Sequence, residues 1–237
     1  MRKAVLLPLL MLLLPLAAFA QGDRAKVLER VSDAGTVLNE IMSAPDAGIP
    51  DNVMGSAQCV AVVPSYLKGA FVIGASYGKG LASCRTASGW SAPAFIRIEG
   101  GSFGLQIGGQ AVDLILLIMN ERGMGALLSS KFKVGADASV AAGPVGRHAD
   151  ASTDWKMRAE VLTYSRARGI FAGISLNGAV IKQDRDDTRA FYGRMVPYRS
   201  LLQGLTPLPA DAQPFLKPLG QYAPIAPKPA AAKPAGK

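Results

Sequence analysis

The sequence predicts an α+β fold of mainly antiparallel β-sheets, about eight strands in all, with an N-terminal amphipathic helix and a few short helices. The strand prediction rests on segments in which small and apolar residues alternate. In Ser102–Gly109, Phe103, Leu105 and Ile107 share one face, as in a strand with one buried side. Glycines between such segments are typical of hairpins. The helix prediction rests on the periodicity of Arg24–Met42.

Arg24–Met42 carries apolar residues at three- and four-residue spacing, with charged residues between them. Pro45 and the turn-rich segment Asp46–Asn52 are expected to end this helix. Its apolar stripe is expected to pack on the sheet, although such a stripe can instead lie in a membrane interface.

Strands follow the helix. Cys59–Val63 is a short β-branched run that Pro64 is expected to close. Two hairpins come next, the first turning at Tyr77–Gly80 and the second at Gly100–Gly101. Their arms are Ala70–Ser76 with Leu81–Arg85, and Ala94–Glu99 with Ser102–Gly109.

The second half of the chain mixes strands with short helices. Val112–Met119 is almost continuously apolar, which predicts a strand buried on both faces. Asn120 is expected to cap a short helix that runs to about Ser130. The remaining elements are a strand at Lys133–Ala142, a strand pair at Glu160–Ala167 and Gly169–Leu176, and a last short helix at Asp187–Gly193.

The chain of 237 residues divides into three parts. Residues 1–20 have the form of a signal peptide, because Arg2 and Lys3 precede an apolar stretch and Ala18–Ala20 matches a small-x-small cleavage site. We expect cleavage after Ala20 and export to the periplasm or cell envelope, with an uncleaved anchor as the alternative. Residues 23–199 are expected to form one domain, and residues 200–237, rich in Pro, Ala and Lys, a flexible tail.

The formal net charge of the full sequence is +9, but Arg2, Lys3 and the tail lysines supply part of it, so the expected domain is only modestly positive. A modest positive charge suits an anionic membrane surface or an acidic partner, whereas proteins dedicated to DNA binding usually carry denser basic clusters. No nucleic-acid partner is therefore expected.

The two cysteines, Cys59 and Cys84, permit a disulfide bond in an exported protein. Closing the loop between them would stabilise the fold by ~3 kcal/mol. However, Cys59 begins one predicted strand and Cys84 ends the far arm of a hairpin, so the two could lie two strands apart and out of bonding reach. The sequence alone is compatible with either a bonded or an unbonded pair of cysteines.

Catalytic chemistry is scarce. Ser76 lies in Gly74–Gly78, which fits the G-x-S-x-G elbow of serine hydrolases, but that elbow needs a helix after the serine and a second strand is expected here. His148 is the sole histidine and hence the sole candidate base, and spacing selects no acidic partner. A serine esterase using Ser76 is the lesser hypothesis, and we expect no enzyme activity.

Metal and cofactor sites are not expected either. One histidine and two separated cysteines cannot make a tetrahedral metal site, and the acidic residues near Asp184 lack a calcium-loop pattern. No glycine-rich phosphate loop precedes a helix. We expect no cofactor.

Six basic residues are candidates for binding anionic lipid. Two segments, which begin at Leu67 and Ala167, align with each other, and each resembles a glycine-turned hairpin entered by a basic residue. The basic residues at the ends and turns of these segments are Lys68, Lys79, Arg85, Arg168, Lys182 and Arg185. Grouped on one rim they could hold lipid phosphates through charge-assisted hydrogen bonds, and otherwise they are ordinary solubilising surface.

Between about Ile49 and Gly193 the chain resembles the SYLF domain family, with four motifs in the family's order. They are IPDNVMGSAQCVAVVPSYLKGAFVIGASYGKGLASCR, GWSAPAFIRIEGGSFGLQIGGQAVDLILLIMNERG, KFKVGADASVAAGPVGR and YSRARGIFAGISLNGAVIKQD. The family includes yeast cortical-actin-patch proteins, a vertebrate phosphoinositide-binding relative and many exported bacterial proteins. The resemblance implies membrane-lipid binding without catalysis, with phosphoinositides as ligands in eukaryotic members and actin as a partner in fungal ones.

This chain is expected to carry an export signal, and only the Pro/Ala/Lys tail where eukaryotic members carry a partner-binding module. Actin is therefore not expected as its partner. The predicted function is non-catalytic binding of anionic phospholipid at a membrane surface in the cell envelope. The alternative is an envelope structural or interaction protein that binds another protein or a cell-wall polymer. The oligomeric state is left open.

Overall fold

The computed structural model describes residues 14–44, 48–71, 73–103, 108–129, 131–144, 159–167, 170–172, 176 and 178–224. Within these ranges the chain is a mixed α+β fold with a mainly antiparallel sheet, which confirms the predicted fold class. No helix in the described part is both long enough and apolar enough to cross a membrane.

The described strands belong to one sheet. Their bounds are β1 Cys59–Phe71, β2 Ile73–Thr86, β3 Gly89–Trp90, β4 Ala94–Phe103, β5 Gly108–Ile118, β6 Lys131–Lys133, β7 Val140–Ala142, β8 Val161–Ala167, β9 Ile170–Ala172 and β10 Val180–Gln183. The order across the sheet is β6-β10-β4-β2-β1-β5-β8-β7, with β3 paired to β2 and β9 to β8. Only the β7–β8 pair is parallel among the described strands.

Six α-helices and one 3₁₀ turn complete the described fold. They are α1 Leu14–Met42, α2 Asp51–Ser56, α3 Glu121–Leu127, α4 Arg185–Tyr192, α5 Tyr198–Leu202, the 3₁₀ turn Ala210–Ala212 and α6 Gln213–Tyr222. As predicted, the side chain of Asn120 caps α3 by accepting a hydrogen bond from the N–H of Gly123.

Alternate residues of β1 serve two different cores, because successive side chains of a strand point to opposite faces. Cys59, Ala61 and Val63 belong to one core, which α5 and the edge strand β6 help to close. Val60 and Val62 belong to the other, which lies between the sheet and the helices α1, α4 and α6. We call this second face the helix side of the sheet.

The apolar stripe of α1 packs on the helix side, as the sequence predicted. Its buried residues include Val27, Val31, Leu38 and Ile41, and full burial of such a side chain is worth about 1.5–3 kcal/mol. The remaining apolar flank of the helix is covered by α6.

The two predicted glycine turns are wrong. Tyr77–Gly80 lies inside β2, and Gly100–Gly101 lies inside β4. Gly80 serves close approach rather than a turn, because a Cβ built on it would lie 2.1 Å from the carbonyl oxygen of Val62 on the neighbouring strand. β1 and β2 instead pair up to the contact between Phe71 and Ile73.

Pro64 does not close β1. The strand continues to Phe71, and its register with both neighbours shifts at Pro64–Ser65, which is a β-bulge. Ser65 adopts a left-handed backbone conformation with φ of 52°. A bulge accommodates the proline because the extra residues of a bulge leave the ladder of hydrogen bonds.

Two further elements differ from the prediction, and a third is described only in part. Lys133–Ala142 is not one strand, because β6 and β7 lie at opposite edges of the sheet. The segment Gly169–Leu176 is described only in part, as β9. The helix predicted at Asp187–Gly193 exists as α4 and ends at Gly193 with φ of 70°, but it is not the last helix.

The flexible tail does not begin at residue 200. Residues 200–224 are folded, and Phe215 and Leu219 of α6 are fully buried. The indole Nε1 of Trp90 donates a hydrogen bond to the carbonyl of Ala223 at 3.0 Å. Apolar side chains one helical turn apart hold this segment although it contains several prolines. Residues 225–237 lie outside the described residues.

The signal peptide stays a prediction. Residues 1–13 lie outside the described residues, and residues 14–20 belong to α1. Neither observation bears on cleavage after Ala20.

The disulfide bond is present. Cys59 lies directly opposite Cys84 in the β1–β2 pair, and their Sγ atoms are bonded. The concern that the two cysteines lie two strands apart is wrong because β2 runs as one long strand beside β1.

Candidate binding surface on the helix side of the sheet

A row of polar residues crosses the helix side of the sheet at the level of the β1 bulge. We call it the polar row. From β8 to β6 it consists of Arg166, Asp113, Ser65, Lys79, Arg97, Lys182 and Lys131. Residues directly opposite each other on antiparallel strands share a face, so these side chains form one line. α1 lies beside the line, since its Glu40 pairs with Arg166.

Lys79 lies at the centre of the polar row and is held by two acids of α4 and its cap. Its Nζ is 2.7 Å from Oδ2 of Asp184 and 3.0 Å from Oδ1 of Asp187, and Asp187 also pairs with Arg30 of α1. Burial alone would lower the pKa of Lys79, but its hydrogen bonds to these two carboxylates outweigh burial and raise the pKa. Lys79 therefore joins the sheet to two helices.

The next part of the row is less enclosed. Glu99 lies between Arg97 and Lys182, with its carboxylate oxygens 3.2 Å from Nε of Arg97 and 2.5 Å from Nζ of Lys182. Lys131 and Lys133 are exposed on the edge strand β6, on either side of the buried Phe132. This end of the polar row has more positive than negative charges.

Beyond the polar row, the long strands extend past the helices and their helix-side face is exposed. We call this area the shelf. It comprises Leu67, Gly69, Ala75, Tyr77, Gly101 and Ala111, all classed as exposed. Leu67 and Tyr77 are direct cross-strand partners that are 53% and 42% exposed. The same cross-strand line continues through Glu99 to Lys133. An apolar surface therefore adjoins a cationic edge.

A cleft of about 260 Å³ lies between α1 and the bulge of β1. We call it the α1 cleft. It is lined by Lys26, Glu29, Arg30, Asp33, Pro64 and Ser65. Partial burial raises the pKa of Asp33, and the negative charges of Glu29 and Asp113 raise it further, although Arg30 opposes them. The cleft thus brings both signs of charge to the boundary of the shelf.

Five of the six predicted basic residues lie in the described part of the chain, and the structure does not bring these five onto one rim. Lys79 and Lys182 share the polar row, whereas Lys68 lies on the opposite face of β1 from Leu67, where partial burial lowers its pKa. Arg185 is exposed at the start of α4. Arg168 lies outside the described residues. The lipid-binding role of these residues stays a prediction.

Arg85 lies at the other end of β2 and contacts backbone carbonyls. It donates hydrogen bonds to Gly55, Ala57 and Pro224, and its guanidinium lies 4.8 Å from the ring centroid of Trp90. Burial lowers its pKa. This arrangement ties the end of the sheet to the segment after α6, and it engages most of the donors that a lipid phosphate would need.

Residue-by-residue reasoning from the sequence missed the shelf and the edge lysines. The alternation of Phe95, Arg97 and Glu99 with buried isoleucines could have indicated that Arg97 lies on the helix side. The partners of Arg97 across the sheet could not be read from the sequence, because strand order and register are long-range properties.

The context required for a hydrolase elbow is absent at Ser76. This serine lies within β2 with strand on both sides, and the hydroxyl of Tyr66 donates a hydrogen bond to its Oγ at 2.8 Å. A nucleophile elbow places the serine in a sharp turn between a strand and a helix. His148 lies outside the described residues.

Comparison with known proteins decides the family. A family model described as "Ysc84: Las17-binding protein actin regulator" matches residues 99–222. The chain belongs to the Ysc84 family, also called the SYLF family, as its motifs predicted. It is 32% identical over 182 residues to human SH3 domain-containing YSC84-like protein 1, which covers 76% of this chain and 53% of the relative.

A yeast member of the Ysc84 family is similar to the same degree. The chain is 31% identical over 183 residues to Protein YSC84 of Saccharomyces cerevisiae, which covers 76% of this chain and 39% of the yeast protein. The chain thus spans about half the length of the human relative and less of the yeast one. Neither name describes an enzyme.

Proposed function

We propose that this chain binds anionic phospholipid at a membrane surface in the cell envelope, without catalysis and after export. The observation that carries the proposal is the junction of the shelf with the cationic end of the polar row. Leu67 and Tyr77 present an apolar surface, and Lys131 and Lys133 are exposed on the nearby edge strand. An apolar patch rimmed by positive charge is typical of a site that docks on a membrane.

Neither the shelf nor the cationic end of the polar row is sufficient alone for membrane binding. Each lysine or arginine near an anionic membrane contributes about 1 kcal/mol, and Glu99 offsets part of that contribution. Shallow burial of Leu67 and Tyr77 adds a hydrophobic contribution that does not depend on salt. The proposal therefore predicts binding with an electrostatic component that salt weakens and an apolar component that salt does not.

The experiment is vesicle co-sedimentation with an increasing fraction of phosphatidylglycerol in phosphatidylcholine. We expect binding to rise with the anionic fraction and to fall with salt. The double variant Lys131→Glu/Lys133→Glu should bind about tenfold or more weakly. The control Arg199→Glu/Lys217→Glu makes the same charge change on α5 and α6. Equal binding by these two variants, or binding indifferent to lipid charge, would count against the proposal.

The apolar component has its own test. The double variant Leu67→Ser/Tyr77→Ser should weaken vesicle binding at high salt, where the electrostatic contribution is screened. Both side chains are exposed in the folded chain, so the stability should change little. Unchanged binding at high salt would exclude the shelf as the docking surface.

A second candidate function is binding to another envelope protein. Leu205 and Leu208 are 73% and 52% exposed on the segment between α5 and α6, which packs beside Thr86 at the opposite end of β2 from the shelf. Exposed leucines of this kind suit a protein partner. Pull-down from envelope extracts should lose the partner with Leu205→Asp/Leu208→Asp, whereas vesicle binding should persist.

Export also belongs to the proposal. Cell fractionation followed by N-terminal sequencing should find the mature chain beginning at Gln21 in the envelope fraction. A chain that keeps residues 1–20 in the cytoplasm would overturn this part of the proposal alone.

A further inference from the structure

The α1 cleft has a feature that general attraction to a charged membrane does not use. It presents carboxylates as well as cations beside the shelf. Glu29 and Asp33 line the cleft, and Asp113 lies close enough to raise the pKa of Asp33. A surface that served only to attract anionic lipid would gain nothing from acids at this position, because like charges repel.

Among the described residues, the acids of the cleft are only partly balanced by basic side chains. Arg30 lines the cleft, but its Nη1 already donates to Asp187. Lys26 is exposed at the opening of the cleft, on the same flank of α1 as Glu29, Arg30 and Asp33. When carboxylates and basic side chains lie a few ångströms apart, one ligand can bind to both: its cation pairs with the carboxylates and its anion pairs with the basic side chains. The cleft is therefore arranged for a zwitterion rather than for a simple anion.

The wall opposite α1 is held in a fixed shape. The left-handed conformation of Ser65 exposes its side chain at the cleft, and the backbone N–H of Ser65 donates to Oδ1 of Asp113 at 3.0 Å. Strained residues of this kind recur at ligand sites, where the surrounding structure maintains them. Pro64 adds a rigid apolar surface to the same wall.

The residues that line the α1 cleft determine which type of ammonium group a ligand can place there. The six described residues that line the cleft include no aromatic ring. Quaternary ammonium groups are usually recognised by aromatic cages, whereas a primary ammonium has three N–H donors that suit carboxylates. A phosphate ester bearing a primary amine fits this cleft better than one bearing a trimethylated amine.

We infer that the α1 cleft binds the headgroup of an aminophospholipid such as phosphatidylethanolamine. Glu29 and Asp33 hold the ammonium, and Lys26 with the remaining donors of Arg30 holds the phosphate. The inference rests on the proposed membrane function and deepens it. Leu67 follows Ser65 by two residues on β1 and lies on the same face as the polar row. The acyl chains of a lipid held in the cleft can therefore extend toward the shelf.

The test uses the full mature chain and vesicles with a constant fraction of phosphatidylglycerol. The remaining lipid is either phosphatidylcholine or phosphatidylethanolamine. We expect roughly five- to tenfold tighter binding to the phosphatidylethanolamine vesicles. The variant Glu29→Gln/Asp33→Asn should lose that preference but keep its dependence on phosphatidylglycerol. A matched control, Asp51→Asn/Glu121→Gln, removes two acids from the starts of α2 and α3 and should keep the preference.

The outcomes separate the two proposals. Binding that follows phosphatidylglycerol without preferring phosphatidylethanolamine overturns the headgroup inference and leaves the membrane function intact. Absence of binding to either kind of vesicle overturns the membrane function, and with it the lipid form of the inference. A preference that survives in Glu29→Gln/Asp33→Asn also overturns the inference.

A soluble probe distinguishes the headgroup from a free metabolite. O-phosphoethanolamine should shift the amide resonances of α1 near Glu29 in a saturable way, whereas phosphocholine should shift them at least several-fold less. Equal shifts with both probes would contradict the selection of a primary amine. Tight binding of the soluble ester, without a preference among vesicles, would indicate a free phosphoamine as the ligand and overturn the lipid assignment.

Discussion

The backbone N–H of Ser65 donates a hydrogen bond to Oδ1 of Asp113 at 3.0 Å, across the bulge that interrupts β1. This contact supplies a partner for an N–H that the bulge removes from the ladder of the sheet. It also fixes Ser65 in a left-handed conformation, in which it is the sole residue other than glycine among the described positions.

The strain at Ser65 gives a stability prediction. A non-glycine residue in this conformation costs about 1–2 kcal/mol, and glycine avoids that cost while losing some entropy on folding. Ser65→Gly should therefore raise the free energy of unfolding by up to about 1 kcal/mol in urea titrations. Ser65→Ala, the matched control, keeps the backbone strain and should not raise the free energy of unfolding. A clear loss of stability in Ser65→Gly would show that the serine side chain itself supports the fold.

Removing the charge of Lys79 should destabilise the fold. Lys79→Met leaves Asp184, which is 1% exposed, without its cation, so we expect a loss of about 2 kcal/mol at neutral pH. Lys217→Met on the exposed surface of α6 should change stability by no more than about 0.5 kcal/mol. Similar losses in the two variants, measured by urea denaturation, would contradict a central role for the Lys79 network.

The same variant should change the pH dependence of stability. Burial tends to raise the pKa of Asp184, but hydrogen bonds from Lys79 and from the N–H of Asp187 outweigh it and hold the pKa below its usual 3.8. The wild-type contribution of Asp184 is therefore present above about pH 4 and is lost as the pH falls through the lowered pKa. In Lys79→Met burial dominates and the pKa rises. The loss of stability in Lys79→Met, relative to the wild type, should therefore be smaller in acid than at neutral pH. A constant loss between pH 7 and pH 3 would contradict this reasoning.

Replacing Arg85 by lysine separates the contribution of its hydrogen-bonding geometry from that of its positive charge. Arg85→Lys keeps the positive charge but loses most of the contacts to the carbonyls of Gly55, Ala57 and Pro224. We expect a loss of about 1–2 kcal/mol in stability and faster proteolysis after α6, with vesicle binding unchanged. Arg199→Lys serves as the exposed control. Weaker vesicle binding at unchanged stability would instead make Arg85 a lipid ligand.

The buried disulfide should contribute to stability through the loop that it closes. Cys59 and Cys84 are 25 residues apart and both fully buried. Cys59→Ala/Cys84→Ala should lower the free energy of unfolding by about 3 kcal/mol. Adding a reductant should shift the urea midpoint of the wild type toward that of the variant and leave the variant unchanged. If the urea midpoint of the wild type did not change with the reductant, the disulfide bond would contribute little to stability.

The fold class, α1, the buried strand β5 and the cap at Asn120 could be predicted from the sequence, because each depends on a local period or a local hydrogen bond. The predicted turn at Gly78 and Gly80 is wrong, because both glycines lie inside β2. A Cβ at Gly78 would lie 2.7 Å from the ring of Tyr66, so this glycine makes room for packing between neighbouring strands. A single sequence does not distinguish a glycine needed for close approach from one needed for a turn.

The candidate binding surface was less accessible to sequence reasoning than the fold. Lys79, Arg97 and Lys182 are far apart in the chain and become neighbours only through the order β2-β4-β10. The predicted end of the domain was also wrong: the Pro/Ala/Lys composition of the last residues does not extend to residues 200–224, where Phe215 and Leu219 lie one helical turn apart. That spacing is the local signal for α6 and could have been used.

α1 and α6 come from nearly opposite ends of the described chain, yet Gly35 lies so close to Pro214 that a Cβ on it would be 2.0 Å from the carbonyl oxygen. A nascent chain therefore lacks the cover over α1 until α6 has left the ribosome. Closure of the domain is a late event in synthesis. For the export proposed above, this delay would leave time for a translocation machinery that accepts only unfolded polypeptides to engage the chain before it closes.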